Sequence, residues 1–127
     1  MYSKKINIDP KHIDCQKILD NTHYSYYYEL VRHEHFSQFG KTVEELADEG
    51  VNAVLLDEHI RFKKAITGGE VEITNKFTKL SKIKFVADQE ILIDGKVAST
   101  NRCEITCVPA KGGRPFFPEY LEKFIKE

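Results

Sequence analysis

The sequence lacks an excess of charge of either sign. Nineteen Lys and Arg residues stand against 20 Asp and Glu residues, giving a formal net charge of −1, which speaks against a strongly basic nucleic-acid-binding protein. It also lacks an apolar run of the roughly 18 residues that a membrane-spanning helix needs. No apolar segment typical of a secretory signal follows Met1. We therefore expect a cytoplasmic protein with no membrane span and no nucleic-acid partner.

Cysteine is scarce as well: Cys15, Cys103 and Cys107 form no C-x-x-C motif. A disulfide framework typically uses an even number of cysteines in a secreted protein, so none is expected. Cys103 and Cys107 lie four residues apart on one face of a strand, where two small buried side chains are a simpler interpretation than a metal or redox pair. His33 and His35 lie on different sides of a predicted helix. The sequence therefore predicts no metal site and no cofactor.

Aromatic residues, in contrast, are abundant for a chain of 127 residues, the length of one domain. There are six Tyr and eight Phe, and five of these fall between positions 24 and 36. Helical spacing of i, i+3, i+4, i+7 and i+11 is followed by Tyr24, Tyr27, Tyr28, Val31 and His35. Tyr26 and Leu30 widen this stripe, so the predicted helix, residues 23–39, should be buried on several sides.

Polar residues mark the start of this helix and of a second one. Asn21 or Thr22 can accept a hydrogen bond from the first free N–H groups of the long helix. Thr42 and Glu45 have the capping-box spacing, which predicts a short helix over residues 42–48.

Alternation of apolar and polar residues predicts a series of strands. These strands cover residues 3–8, 51–63, 70–78, 82–93 and 96–108. Gly68-Gly69 separates the second strand from the third, and Asp94-Gly95 predicts a type I′ hairpin. Because tight links imply antiparallel pairing, the predicted class is α+β, with an antiparallel sheet of about five strands wrapped around one long central helix. A last short helix is predicted over residues 119–126.

The segment from His12 to Arg32 carries a pattern: an Asp, a loop, an Asn at a helix start, then Tyr, an aromatic pair, Glu and Arg. The residues in register are Asp14, Asn21, Tyr24, Tyr27, Tyr28, Glu29 and Arg32. This pattern resembles the signature of hotdog-fold acyl-CoA thioesterases, above all the 4-hydroxybenzoyl-CoA thioesterase-like family. The resemblance implies a single hotdog domain over residues 1–127, hydrolysis of an acyl-CoA or acyl-carrier-protein thioester, and assembly as a homodimer or homotetramer.

The loop departs from the family pattern at three positions. His12 stands where the family often has a second acid, Lys17 replaces a Gly, and Ile18 replaces a His. Glycine adopts backbone conformations that lysine resists. The geometry of the loop therefore depends on the conformation that Lys17 takes.

The resemblance makes Asp14 either the nucleophile or the general base that activates water, and the two roles stay open. A helix start offers unpaired N–H groups and a partial positive charge, which stabilise the negative oxygen formed when a thioester is attacked. We expect the backbone N–H near Asn21 to do this. By local chemistry alone, Asp14 is a turn residue before a helix and Asn21 a helix cap.

Five residues are candidates for substrate binding. They are Tyr24, Glu58, His59, Lys111 and Arg114. Tyr24 lines a pocket or belongs to the core. Glu58 and His59 face either the substrate of a neighbouring subunit or solvent. The last two flank Gly112-Gly113, where the backbone permits close approach of a CoA phosphate. Basic residues also cluster over positions 61–64.

Two other functions stay open. A non-catalytic hotdog protein that binds an acyl group is favoured by the lysine at position 17. A hotdog hydratase or dehydratase would use a His with an acidic partner, and the predicted helix has no comparable His-centred motif. The sequence does not specify the acyl group.

Overall fold

The computed structural model describes all residues from Met1 to Glu127. Its elements are strand β1 (Tyr2–Asn7), helix α1 (Tyr24–Ser37), helix α2 (Val43–Asp48) and strands β2 (Val51–Phe62), β3 (Glu70–Lys79), β4 (Lys84–Ile93) and β5 (Lys96–Pro109). Single 3-10 turns cover Pro10–His12, Asn21–His23 and Glu119–Leu121. The predicted strands and the first two of the three predicted helices are confirmed to within a few residues. The helix predicted over residues 119–126 is wrong, since only the last of these 3-10 turns forms there.

The five strands form one antiparallel sheet in the order β1-β3-β4-β5-β2. The β4–β5 hairpin turns at Asp94 and Gly95, which both have the positive φ that a type I′ turn requires (51° and 78°). The expectation that all four later strands are joined by tight turns is wrong for β2 and β3, because β2 pairs with β5 at the far edge. Residues 63–69 instead cross one end of the sheet, and Ile66 in this crossover is fully buried.

Helix α1 packs on one face of this sheet, here called the inner face, through two apolar clusters. The first contains Tyr24, Tyr27, Tyr28 and Val31 of α1 with residues of β3, β4 and the crossover. The second contains Phe36, Phe77, Phe85, Phe117, Leu121 and Ile125. Each fully buried side chain of this size contributes about 1.5–3 kcal/mol to folding. The aromatic abundance therefore fills the space between helix and sheet.

The opposite side of α1 is open. Tyr26 and Leu30 are 49% and 42% exposed, so the expectation that they are enclosed along with the rest of the helix is wrong for a single chain. The sheet covers only the side that carries the spaced tyrosines. No helix combines the length and apolar character needed to cross a membrane.

Candidate active site

A cavity of about 370 Å³ opens at the start of α1, next to the end of β2. It is lined by Asp14, Gln16, Ile18, Leu19, Asn21, Tyr24, Phe62, Lys63, Lys64 and Ala65. The structure thus brings together three residues predicted from sequence, Asp14, Asn21 and Tyr24. Half of the lining residues are hydrophobic, so the cavity suits an acyl chain or ring beside a polar reacting group.

Asp14 lies on a tight loop that leads into α1 and is half-buried. Its backbone N–H donates to Ile18 O (2.9 Å), and its backbone oxygen accepts from Lys17 N (3.0 Å). Its carboxylate Oδ1 accepts from Gln16 N (2.8 Å), while Oδ2 accepts no hydrogen bond within the chain. The loop therefore holds Asp14 by its backbone and leaves one carboxylate oxygen free.

Lys17 adopts the left-handed conformation, with a φ of 67°. This is the position where the family pattern has glycine, and a left-handed backbone costs a residue with a Cβ about 1–2 kcal/mol. The hydrogen bonds between Asp14, Lys17 and Ile18 hold the loop in this shape nonetheless. Lys17 therefore has the backbone conformation that a glycine would adopt at this position.

The start of α1 is built from Asp20 and the 3-10 turn that follows it. The Asp20 carboxylate accepts from Thr22 N (3.1 Å) and from the Thr22 hydroxyl, and these bonds lower the pKa of Asp20. The expectation that Asn21 or Thr22 caps the helix is wrong, since Asp20 caps the turn. The Asn21 N–H has no acceptor within the chain, so Asn21 is left without a capping role beside Asp14.

Tyr24 and Phe62 form one wall of the cavity. Their rings meet edge to face, with centroids 4.7 Å apart. Tyr24 is only 4% exposed, and burial raises the pKa of its phenol. The sequence did not single out Phe62, because nothing local shows that the end of β2 returns to the Asp14 loop. A hydrogen bond from Leu19 N to Ile66 O (2.7 Å) ties the two segments together.

Behind the loop, two histidines connect its two ends. The rings of His12 and His23 stack with centroids 4.1 Å apart. His12 Nδ1 is 2.6 Å from the hydroxyl of Tyr27, which also accepts from Asp9 N (2.9 Å). This cluster anchors the residues just before Asp14 and just after Asn21 to the buried side of α1.

Glu58 lies on the inner face of β2, against α1. Its carboxylate accepts from the Ser25 hydroxyl (2.6 Å) and Asn101 Nδ2 (3.0 Å), and Arg32 Nη1 is 3.9 Å away. The Glu58 side chain is 18% exposed. Of the two interpretations given for positions 58 and 59, the solvated strand face is therefore wrong for Glu58. A bulge between Leu55 and Asp57 shifts the alternation and turns Glu58 inward.

His59 does lie on the outer face, which carries a groove of about 780 Å³. One residue among the 14 that line this groove is hydrophobic. Two of its charges pair with each other, since Arg102 donates to both oxygens of Asp88 (2.9 Å each). This groove is a polar sheet surface without the apolar wall that an acyl group needs.

Lys111 and Arg114 lie at the other end of β2 from Asp14. They follow β5, whose last residue pairs with Val51 at the start of β2, whereas the cavity adjoins Phe62 at its end. Twelve strand residues separate the two ends, a span of up to about 36 Å at a rise of about 3.3 Å per residue. Within one chain the structure does not bring these two residues to the cavity.

An antiparallel sheet wrapped on one long helix, with an acid loop leading into that helix, defines the hotdog class of proteins. The family model of the thioesterase-like superfamily matches residues 8–125. The chain therefore belongs to the thioesterase-like superfamily. No curated protein matches it.

Solved structures show the same fold. A DHNA-CoA thioesterase from Staphylococcus aureus is 20% identical, with a TM-score of 0.82 over 96% of this chain and 81% of its own. A 1,4-dihydroxy-2-naphthoyl-CoA thioesterase from Synechocystis is 12% identical, with a TM-score of 0.87 over 96% and 93%. A hypothetical protein from Staphylococcus aureus in complex with CoA is 17% identical, with a TM-score of 0.86 over 95% and 78%. These likenesses confirm the predicted hotdog fold.

Proposed function

We propose that this protein hydrolyses an acyl-CoA thioester, with Asp14 as the reacting carboxylate and the Asn21 N–H as the donor to the oxyanion. The observation that carries the proposal is the shared cavity, in which a carboxylate with one free oxygen lies beside a helix start with a free N–H. The family and the thioesterases among its structural neighbours support the reaction class. An acyl-carrier-protein thioester presents the same bond and is the alternative substrate.

The reaction needs an attack on the thioester carbonyl. Asp14 either adds to the carbonyl carbon, giving an acyl anhydride that water then cleaves, or removes a proton from the water that attacks. In both routes the carbonyl oxygen gains negative charge, which the Asn21 N–H and the positive end of α1 stabilise. Collapse of the tetrahedral intermediate breaks the carbon–sulfur bond and releases CoA as the thiol. Tyr24 would position the acyl group along the cavity wall.

A second copy of the chain would complete the binding site. The β1 edge of the sheet is short and carries Lys4 and Lys5, whereas the β2 edge is 12 residues long, with Leu55 and Leu56 45% and 48% exposed. Charged edges resist pairing and long apolar edges invite it. We therefore propose a homodimer joined at its β2 edges, and a homotetramer would form by stacking of two dimers through other surfaces.

Pairing of two β2 strands about a two-fold axis places the start of one beside the end of the other. The loop after β5 of the second copy would then approach the Asp14 cavity, where Lys111 and Arg114 would bind the CoA phosphates. Glu58 and His59 lie in the second half of β2, near the same interface. Light scattering should give a dimer or tetramer, and a monomer would contradict this arrangement.

The two competing functions receive less support. No histidine lines the cavity, which disfavours a hydratase or dehydratase. A non-catalytic acyl-binding protein is favoured by the missing glycine alone, yet Lys17 takes the conformation that glycine would adopt.

The test is an assay of aliphatic and aromatic acyl-CoA thioesters in which the release of free thiol is measured. We expect turnover of at least one of them, and loss of turnover in Asp14→Asn. Asp48→Asn, an exposed acid on α2, is the matched control and should keep full activity. Tight binding of acyl-CoA without thiol release would overturn the proposal and favour the non-catalytic function.

A further inference from the structure

We propose that Lys63 and Lys64 bind a negatively charged group on the acyl part of the substrate, so that the preferred substrates are thioesters of dicarboxylic acids. This inference rests on the proposed function, because it takes the thioester carbonyl to lie at Asp14. It concerns a part of the cavity to which neither the family pattern nor the reaction assigns a role.

The backbone directs both lysines to the same place. Consecutive side chains of a regular strand lie on opposite faces, yet Lys63 and Lys64 both line the cavity. Their N–H groups donate to one shared acceptor, Ala98 O, at 2.9 and 3.0 Å. The strand therefore breaks its alternation directly after Phe62, and both lysines, which are exposed, lie side by side at the rim of the cavity.

Neither lysine has an acidic partner within 4.0 Å. Other lysines of the chain do, since Lys4 pairs with Glu34 at 2.7 Å and Lys41 with Glu49 at 2.7 Å. Asp14 is the only acid that lines the cavity. With two lysines against one carboxylate, the lining carries an excess of positive charge that an anionic ligand would neutralise.

Position in the cavity points to the acyl group. The phosphates of CoA are separated from the sulfur by the whole pantetheine arm, which is too long to fold into a space of about 370 Å³ that already holds the thioester. Ile18, Leu19 and Phe62 offer an apolar wall for a short hydrocarbon spacer. An acyl group with a hydrocarbon spacer and a terminal carboxylate matches this combination of apolar and basic lining residues.

The experiment compares acyl groups of equal length with and without the charge. Glutaryl-CoA and pentanoyl-CoA form one pair, with rates of spontaneous hydrolysis subtracted. Each acyl group is also attached to N-acetylcysteamine, a carrier without phosphates. The variants are Lys63→Ala/Lys64→Ala and, as a matched control, Lys82→Ala, an exposed lysine in the β3–β4 turn.

We expect glutaryl thioesters to be preferred by about tenfold in kcat/KM on both carriers, as suits charge-assisted binding in a partly exposed site. The double variant should raise KM for glutaryl thioesters by about tenfold with kcat nearly unchanged, and should leave pentanoyl thioesters unaffected. Added salt should weaken the preference.

Two results would overturn the inference. One is equal or better turnover of the pentanoyl thioesters. The other is an effect of the double variant on CoA thioesters alone, which would mean that the lysines bind the CoA phosphates. If neither thioester is hydrolysed, the hydrolysis proposal is decided by the wider acyl-CoA panel. The inference is then decided by how tightly the protein binds non-hydrolysable thioether analogues of glutaryl-CoA and pentanoyl-CoA. It requires the charged analogue to bind more tightly.

Discussion

Two carboxylates lie near the start of α1, and they are held in opposite ways. Asp14 lies on a loop beside Asn21, with a single hydrogen bond to its carboxylate. Glu58 lies on a strand and accepts a hydrogen bond from Ser25, in the first turn of α1. Asn101 donates a second hydrogen bond to the Glu58 carboxylate, and the positively charged Arg32 lies 3.9 Å from it.

The difference shows what each acid does. A carboxylate surrounded by donors has its lone pairs engaged and contributes to stability. A carboxylate with a free oxygen beside an apolar cavity is available for reaction. We infer that Asp14 serves the chemistry and that Glu58 holds the edge strand on the helix. The predictions below separate these roles, starting from the largest expected effect.

Asn21→Pro tests the oxyanion role of the backbone. Proline removes the N–H and suits the first position of a helical turn. Asp20 before it is already extended (φ −66°, ψ 138°), as proline requires of its predecessor. We expect kcat to fall by about 10²–10³-fold, the usual effect of losing one oxyanion donor. Asn21→Ala keeps the N–H and is the control; an equal loss in both variants would assign the effect to the side chain.

Glu58→Ala should act on stability. It leaves the buried Arg32 with Glu29, at 4.0 Å, as its remaining acidic neighbour, and frees the Ser25 and Asn101 donors. We expect the free energy of unfolding to fall by about 2 kcal/mol, measured by urea denaturation. Glu49→Ala, which removes an exposed ion pair with Lys41, should cost less than about 1 kcal/mol. A folded, fully stable Glu58→Ala without activity would instead make Glu58 part of the chemistry.

His35 should make the helix–sheet interface sensitive to acid. Burial lowers the pKa of His35 from 6.5 to about 4, because its ring is stacked between Tyr2 and Phe77. Between these two pH values the unfolded chain binds a proton that the folded chain does not, so stability falls as the pH drops from 6.5 to 4 and this contribution levels off below. His35→Phe should flatten this part of the stability profile, whereas His59→Gln on the exposed outer face should not. An unchanged slope in His35→Phe would contradict this.

Lys17→Gly should have the smallest effect. Glycine takes the left-handed conformation of position 17 without strain, and its greater freedom in the unfolded chain offsets part of that gain. We expect the free energy of unfolding to rise by about 0.5–1 kcal/mol with activity unchanged. A large gain in activity would mean that the lysine distorts the Asp14 loop.

Local signals predicted much of this molecule. The spacing of Tyr24, Tyr27 and Tyr28 predicted α1, and the Thr42–Glu45 capping box of α2 is present as both reciprocal hydrogen bonds. Asp94-Gly95 predicted its turn for a physical reason, since both residues need a positive φ. The pattern around Asp14 and Asn21 predicted two residues that the structure places in one cavity.

Long-range features were beyond such signals. The crossover over residues 63–69 leaves β2 beside β5, and no local residue pattern distinguishes this from a hairpin with β3. The bulge after Leu55 moves the Glu58 side chain from the outer to the inner face of the sheet, because one extra residue shifts the alternation of all later residues in the strand. Asp20 took the capping role expected of Asn21 because several polar residues precede α1 and only the final backbone path selects one.

The most direct test of the central claim is Asp14→Asn, measured for both reaction and binding. We expect thiol release from the best acyl-CoA to fall by about 10²–10⁴-fold, the range for losing a catalytic acid or base. Binding of the matching thioether analogue and the free energy of unfolding should stay close to their original values. Turnover within a few-fold of the unmodified protein, with the fold intact, would show that Asp14 is not the reacting carboxylate.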